Sequence, residues 1–305
     1  MTNSWFEKIK KWRNILSPII GVGVLTLLGY WLWQYREVIL NSLKQIGLFQ
    51  LIVTIILMIL AIILTVWVLV ILVRDKGYNF TFSDGYHTLN LSQLASMIPG
   101  GIWGFAGFAG FLWSRGVSKI DSAIIIFLNT LIMLSACAVV GVSGLISILG
   151  WQYAVLCFIP FVLLLLARNR LEEFRKIYFL ESSTLPSIKT LLQAAGLGIL
   201  VWLITAFCFA WMLNSANLNS SVPLQISIGA YTAGYLGGYL AIFVPSGLGV
   251  SEGLTTLILR FYMETELVLA VAVSFRILHT IVIWGNILIS FLLTLTHKRG
   301  KHENK

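Results

Sequence analysis

Three stretches without a single charged residue, 48–73, 122–167 and 190–251, restrict this chain more than any motif in it. A helix that crosses the hydrocarbon core of a bilayer needs about 20 apolar residues, and soluble core helices rarely run to such lengths. Lipid cannot satisfy backbone polar groups, so segments of this kind must bond internally as helices. The expectation is an all-α polytopic membrane protein.

Composition removes the competing classes. Of the 305 residues 58% are hydrophobic and 11% charged, and the formal net charge is +9. In a soluble protein that balance would suggest a nucleic-acid partner. Here basic loops facing the cytoplasm account for it, and no nucleic acid is expected. Cys137, Cys157 and Cys208 sit inside apolar runs without metal-ligand spacing, so they read as small hydrophobes and no metal is expected. The N-terminal MTNSWFEKIKKWRN imitates a signal peptide, but no small-x-small cleavage site follows and Trp31 and Trp33 close the segment, so a retained first helix is expected.

About six uninterrupted segments are long enough to cross, roughly 15–33, 48–73, 122–148, 151–167, 189–213 and 267–294. Two more are broken near their middles. Residues 86–113 contain Pro99, Gly100 and Gly101, while 225–259 contain Pro245, Ser246 and Gly247, with Gly249 just after. Proline removes a donor and glycine admits positive φ, so each segment can turn back as a re-entrant broken-helix hairpin or cross as a kinked span.

Charge chooses between these. With both broken segments re-entrant and the N-terminus cytoplasmic, 17 basic residues fall inside and only Arg36, Lys44 and Arg260 outside, Arg276 being within the membrane. With both spanning, the balance is 10 against 10. The positive-inside rule selects double re-entry, with both termini cytoplasmic in a plasma (inner) membrane.

An internal echo supports the same layout. Leu94-Ala95 precedes Pro99 as Leu240-Ala241 precedes Pro245, at a spacing of 146. Three spans separate the motifs, so the hairpins would enter from opposite faces. The expected organisation is one integral membrane domain over 1–305, built from inverted repeats at 15–148 and 151–294, as in transporters whose repeats meet at the midplane.

Deep ionisable groups are few. Glu252 lies seven residues past Pro245, and Arg276 lies near the middle of the last span. A carboxylate and a guanidinium at that depth offset part of each other's desolvation and mark a substrate pathway, or else lock hairpin to helix. Asp121 reads as an ordinary acid in a helix's first turn, and His279, three residues after Arg276, as a helix contact. Asn90, Gln93 and Asn129 would line a cavity or bridge helices. Gly234 and Gly238 read as a close-packing pair. Trp103 and Trp113 would grip a lipid chain or sit in an interfacial belt. No acidic pair, nucleotide loop or activated nucleophile is present in the sequence, so neither an enzyme nor a cofactor is expected.

VPSGLGVSEGL followed by Arg276, together with MIPGGIWGF followed by a short loop and GVS, resembles the transmembrane region of the lysylphosphatidylglycerol synthase family, also called the flippase-like domain. The resemblance covers nearly the whole chain. It implies translocation of a lipid with a charged or glycosylated head group, a phospholipid or a polyprenyl-linked glycan, with Pro99, Gly100, Gly101, Trp103, Pro245, Gly247, Gly249, Ser251, Glu252 and Arg276 around the substrate. Relatives also work beside glycosyltransferases, so the alternative expectation is a non-transporting membrane partner of such an enzyme. Where relatives often carry arginines, Phe108 and Ser251 stand here, and Asn129 stands near an expected acid.

Overall fold

The computed structural model describes residues 46–96, 103–152, 185–216, 221–241 and 247–302, with Val244 and isolated residues between 30 and 44 and between 155 and 173. The expected span at 15–33 therefore lies almost wholly, and that at 151–167 mostly, outside the described residues, and Pro99, Gly100, Gly101 and Pro245 lie outside them too.

Four helices have the length and apolarity to cross a membrane: α1 (Leu48–Asp75), α4 (Lys119–Leu149), α5 (Ile188–Ser215) and α8 (Thr265–His302), whose spanning part is Thr265–Leu293. At 1.5 Å per residue, α1 is about 42 Å long against a hydrocarbon core of about 30 Å. Ser118 and Ser187 cap the starts of α4 and α5, each hydroxyl accepting a backbone N–H three residues on. The chain is a multi-pass helical membrane protein.

Between these long helices lie four short ones, α2 (Phe82–Ser96), α3 (Trp103–Ser114), α6 (Leu224–Leu240) and α7 (Val250–Leu259). At about 15 to 26 Å each is too short to cross the core alone. They pair as two fold-back hairpins. In the first, Gly107 of α3 lies against Ala95 and Ser92 of α2, and Arg115 just beyond α3 pairs with Asp84 in the first turn of α2. In the second, Gly238 packs on Ser251 and Gly234 on Thr255. Arms that meet in this order run antiparallel.

The hairpins open toward opposite faces of the bundle. At one face Lys76 pairs with Asp121 at 2.5 Å, the Tyr78 hydroxyl donates to the same carboxylate at 2.5 Å, and Asp75 accepts from the Thr190 hydroxyl at 2.6 Å and from the Ser187 N–H at 2.6 Å. The end of α1, the mouth of the first hairpin and the starts of α4 and α5 thus converge there. At the far face Asn214 exchanges two hydrogen bonds with the backbone of Val222, tying the end of α5 to the start of α6. Gly144 near the end of α4 meets Gln225 and Gly229. Ile46, Leu213, Val222, Leu259 and Met263 share one apolar cluster with Val268 of α8.

Two large apolar clusters fill the space between helices, with a smaller one of Ala136, Cys137, Val140 and Trp202 between α4 and α5. The first gathers the early part of α1, the late part of α5, both arms of the second hairpin and α8 around Met58, Phe209 and Phe275. The second gathers the late part of α1 with α2, α3 and the early parts of α4 and α5, around Phe80, Leu112 and Ile125. Helix α8 crosses to the first face beside α2, where the Tyr86 hydroxyl donates to Asn286 Oδ1 at 2.8 Å and His87 Nδ1 lies 2.6 Å from Ser290 Oγ.

Candidate functional site

The break of the second hairpin reaches about half the depth of the bundle. Trp202, midway along α5, donates its indole N–H to the carbonyl of Met133, midway along α4, at 2.8 Å, and its ring meets Tyr235 of α6 edgewise at 4.4 Å. Helix α6 ends one turn later, at Leu240. The turn beyond it needs glycine twice. Gly247 has φ +63°, and a Cβ there would sit 2.5 Å from the carbonyl oxygen of Gly238. Gly249 has φ +80°, but open space around its Cα. Left-handed backbone costs an L-residue roughly 1–2 kcal/mol, which glycine avoids.

Helix α7 starts at Val250, which puts Glu252 in its first turn. Glu252 Oε2 accepts the N–H of Gly249 at 2.7 Å, half of a capping box, and its Oε1 accepts from Arg276 Nη1 at 2.5 Å. One carboxylate therefore closes the helix N-terminus, where the macrodipole favours an anion, and neutralises a guanidinium about 16 Å along α8 from Thr265. The two side chains are unequal in access. Glu252 is 6% exposed and Arg276 26%, so the cation is the more accessible of the two.

Ser251 is half-buried against Gly238, and Gly247 is buried while Gly249 is exposed. The structure thus brings Gly247, Gly249, Ser251, Glu252 and Arg276 together at one turn and its neighbouring helix. Trp103 begins α3 and is 48% exposed. His279 stacks on Phe275 one turn back along α8, with ring centroids 6.5 Å apart. Phe108 is in the core, and Asn129 is buried with its Oδ1 lacking a hydrogen-bond partner among the described residues. Gly234 and Gly238 both face α7, the close packing their spacing suggests.

Residues 18–285 match the family described as Lysylphosphatidylglycerol synthase TM region. The chain belongs to this family. Comparison with curated proteins finds none that matches it. Membership in the lysylphosphatidylglycerol synthase TM region family agrees with the long apolar helices in making this a membrane domain.

Sequence reading missed the buried staple at the first face of this family member. The Lys76 side chain is 1% exposed and that of Asp121 8%, and Asp121 also accepts from the Ser118 hydroxyl at 2.8 Å. Asp121 is in the first turn of its helix as expected, but it also takes a lysine and a tyrosine from the loop just beyond α1. A pointer existed in the sequence: Arg74, Asp75, Lys76 and Tyr78 crowd the end of the apolar run 48–73, where polar groups must find partners or water. Among the described residues no group of three or more metal-ligating side chains is assembled.

Proposed function

We propose that this chain moves a lipid with a charged or glycosylated head group between membrane leaflets, the tails remaining in the bilayer. The observation that supports it most is the pairing of Glu252 with Arg276 beside an irregular, glycine-dependent turn at mid-depth. Irregular backbone is tolerated at that level only where protein or a wet cavity satisfies it, and deep charges are kept where a polar substrate passes.

In this reading the two fold-back hairpins are re-entrant, and the halves 15–148 and 151–294 are inverted copies. Their mouths opening on opposite faces is what that symmetry requires. The face bearing Arg74, Lys76, Arg115, Lys119 and Lys189 is cytoplasmic by the positive-inside rule, which makes the chain an inner-membrane protein with both termini inside. A phosphate or other anionic head group would engage Arg276, the more exposed partner, while Glu252 limits how tightly it binds. Transport needs such a site to be favourable enough to enter and weak enough to leave.

The test is head-group exposure in reconstituted liposomes. Purified protein should speed the appearance of a labelled phospholipid head group on the opposite leaflet over empty vesicles. A second reading, a non-transporting membrane partner of a glycosyltransferase, is favoured by one feature: Glu252 is fully engaged as helix cap and counter-ion. Co-purification of a transferase with no effect on leaflet exchange would support that reading.

A further inference from the structure

A groove of about 550 Å³ runs between α3 and α4 on the outside of the bundle. Its walls are apolar, with Phe105, Trp113 and Phe127 about half exposed along the rim. Lys119 and Thr130 supply the polar groups. Lys119 stands at the first-face end, its ammonium 5.8 Å from the centre of the Trp113 ring, and it forms no ion pair among the described residues. From Lys119 to Leu134 the groove follows α4 for about 22 Å, about three quarters of the roughly 30 Å thickness of the hydrocarbon core.

We infer that this groove holds one chain of an anionic phospholipid from the leaflet at the Lys119 face, with Lys119 engaging its phosphate. One leaflet takes up about 15 Å of the core, so a single chain from it fits within the length of the groove. Charge complementarity selects the head group: Lys119 is held over an aromatic face at the interface with no anion pairing it among the described residues, and an anionic lipid supplies one. Trp113 sits where an indole prefers to be, between head groups and chains. The inference rests on the membrane reading above and adds a lipid site separate from Arg276.

Delipidated protein in detergent is titrated with phosphatidylglycerol and with diacylglycerol of the same chains, and bound lipid is counted by native mass spectrometry. Phosphatidylglycerol should bind about tenfold more tightly, and Lys119→Gln should erase that preference. Lys119→Arg should keep it, as should Lys189→Gln, which removes a cation from the same face outside the groove. Ala123→Trp, which fills the groove, should weaken both lipids, with thermal unfolding of each variant confirming that it is folded. Equal binding of the two lipids by the native protein, or a preference that survives Lys119→Gln, would mean ordinary annular contact and overturn the inference. Undiminished binding by Ala123→Trp would do the same. Absence of leaflet exchange with this binding profile intact would remove the translocator reading and leave the site standing.

Discussion

Arg276 donates to one oxygen of Glu252 at 2.5 Å while the other oxygen of that carboxylate holds the N–H of Gly249. The pair is thus tied into the backbone of the break itself. Neutralising either member leaves its partner uncompensated, a loss of roughly 3–5 kcal/mol for a fully desolvated pair and less here because Arg276 is partly exposed. Glu252→Gln and Arg276→Gln should each lower thermal stability, and the double change should cost less than the two summed. Strict additivity would show that the charges do not interact in the membrane. A charge-swapped protein, Glu252→Arg with Arg276→Glu, should recover less than native stability, because an arginine cannot accept the Gly249 N–H.

The two positive-φ glycines of the break should not be equivalent. Gly249→Ala meets only backbone strain, about 1–2 kcal/mol, since nothing surrounds its Cα. Gly247→Ala adds a collision with the Gly238 carbonyl and should be clearly the worse of the two in thermal unfolding. Equal effects would mean that the turn at 247 rearranges freely.

Topology follows from charge. Single cysteines at Ser183 and Ser220, in a background without the native three, should react with an impermeant maleimide from opposite sides of the membrane, Ser183 from the cytoplasm. Labelling of both from one side would contradict the double re-entrant arrangement and the face assignment of Lys119 with it.

Asp84 gives the mouth of the first hairpin a pH dependence. Burial opposes its ionisation, but hydrogen bonds from the Thr81 N–H and hydroxyl, with Arg115 and His87 nearby, outweigh that and hold its carboxyl below the usual range. A group whose folded value is depressed stabilises fully above the ordinary carboxylate range and loses that contribution as pH falls through the folded value. Asp84→Asn should therefore cost about 0.5–1 kcal/mol near neutral pH, the scale of a partly exposed pair, and the difference from native protein should close on acidification. A gap that persists in acid would point to lost packing instead.

Much of this fold could be read from sequence because the bilayer imposes simple demands. Apolar length identified α1, α4, α5 and α8, and the Pro-Gly clusters marked where the short arms stop. The nearness of Glu252 and Arg276 followed from their being deep charges of opposite sign. Contacts that depend on register across the bundle were not legible. Asp75 meets Ser187 and Thr190 more than a hundred residues away, and Tyr86 meets Asn286 twice as far off; periodicity carries no signal for which polar pair closes a given interface. The capping role of Glu252 was in the sequence, since Gly249 with a glutamate three residues on before an apolar run is a helix-start pattern. The depth of that carboxylate drew the reading toward substrate and away from the backbone.

The central claim is that the glycine-rich break with its ion pair passes a lipid head group across the membrane. The most direct measurement is the rate at which a head-group-labelled phospholipid becomes accessible to a membrane-impermeant quencher in liposomes holding native protein, Pro245→Leu, or no protein. Native protein should raise the rate well above that of empty liposomes, and Pro245→Leu, which favours a regular helix without making the segment less apolar, should return it toward the empty value while still inserting and folding. A native rate no different from empty liposomes across anionic and zwitterionic head groups, or a Pro245→Leu rate equal to native, would contradict the account.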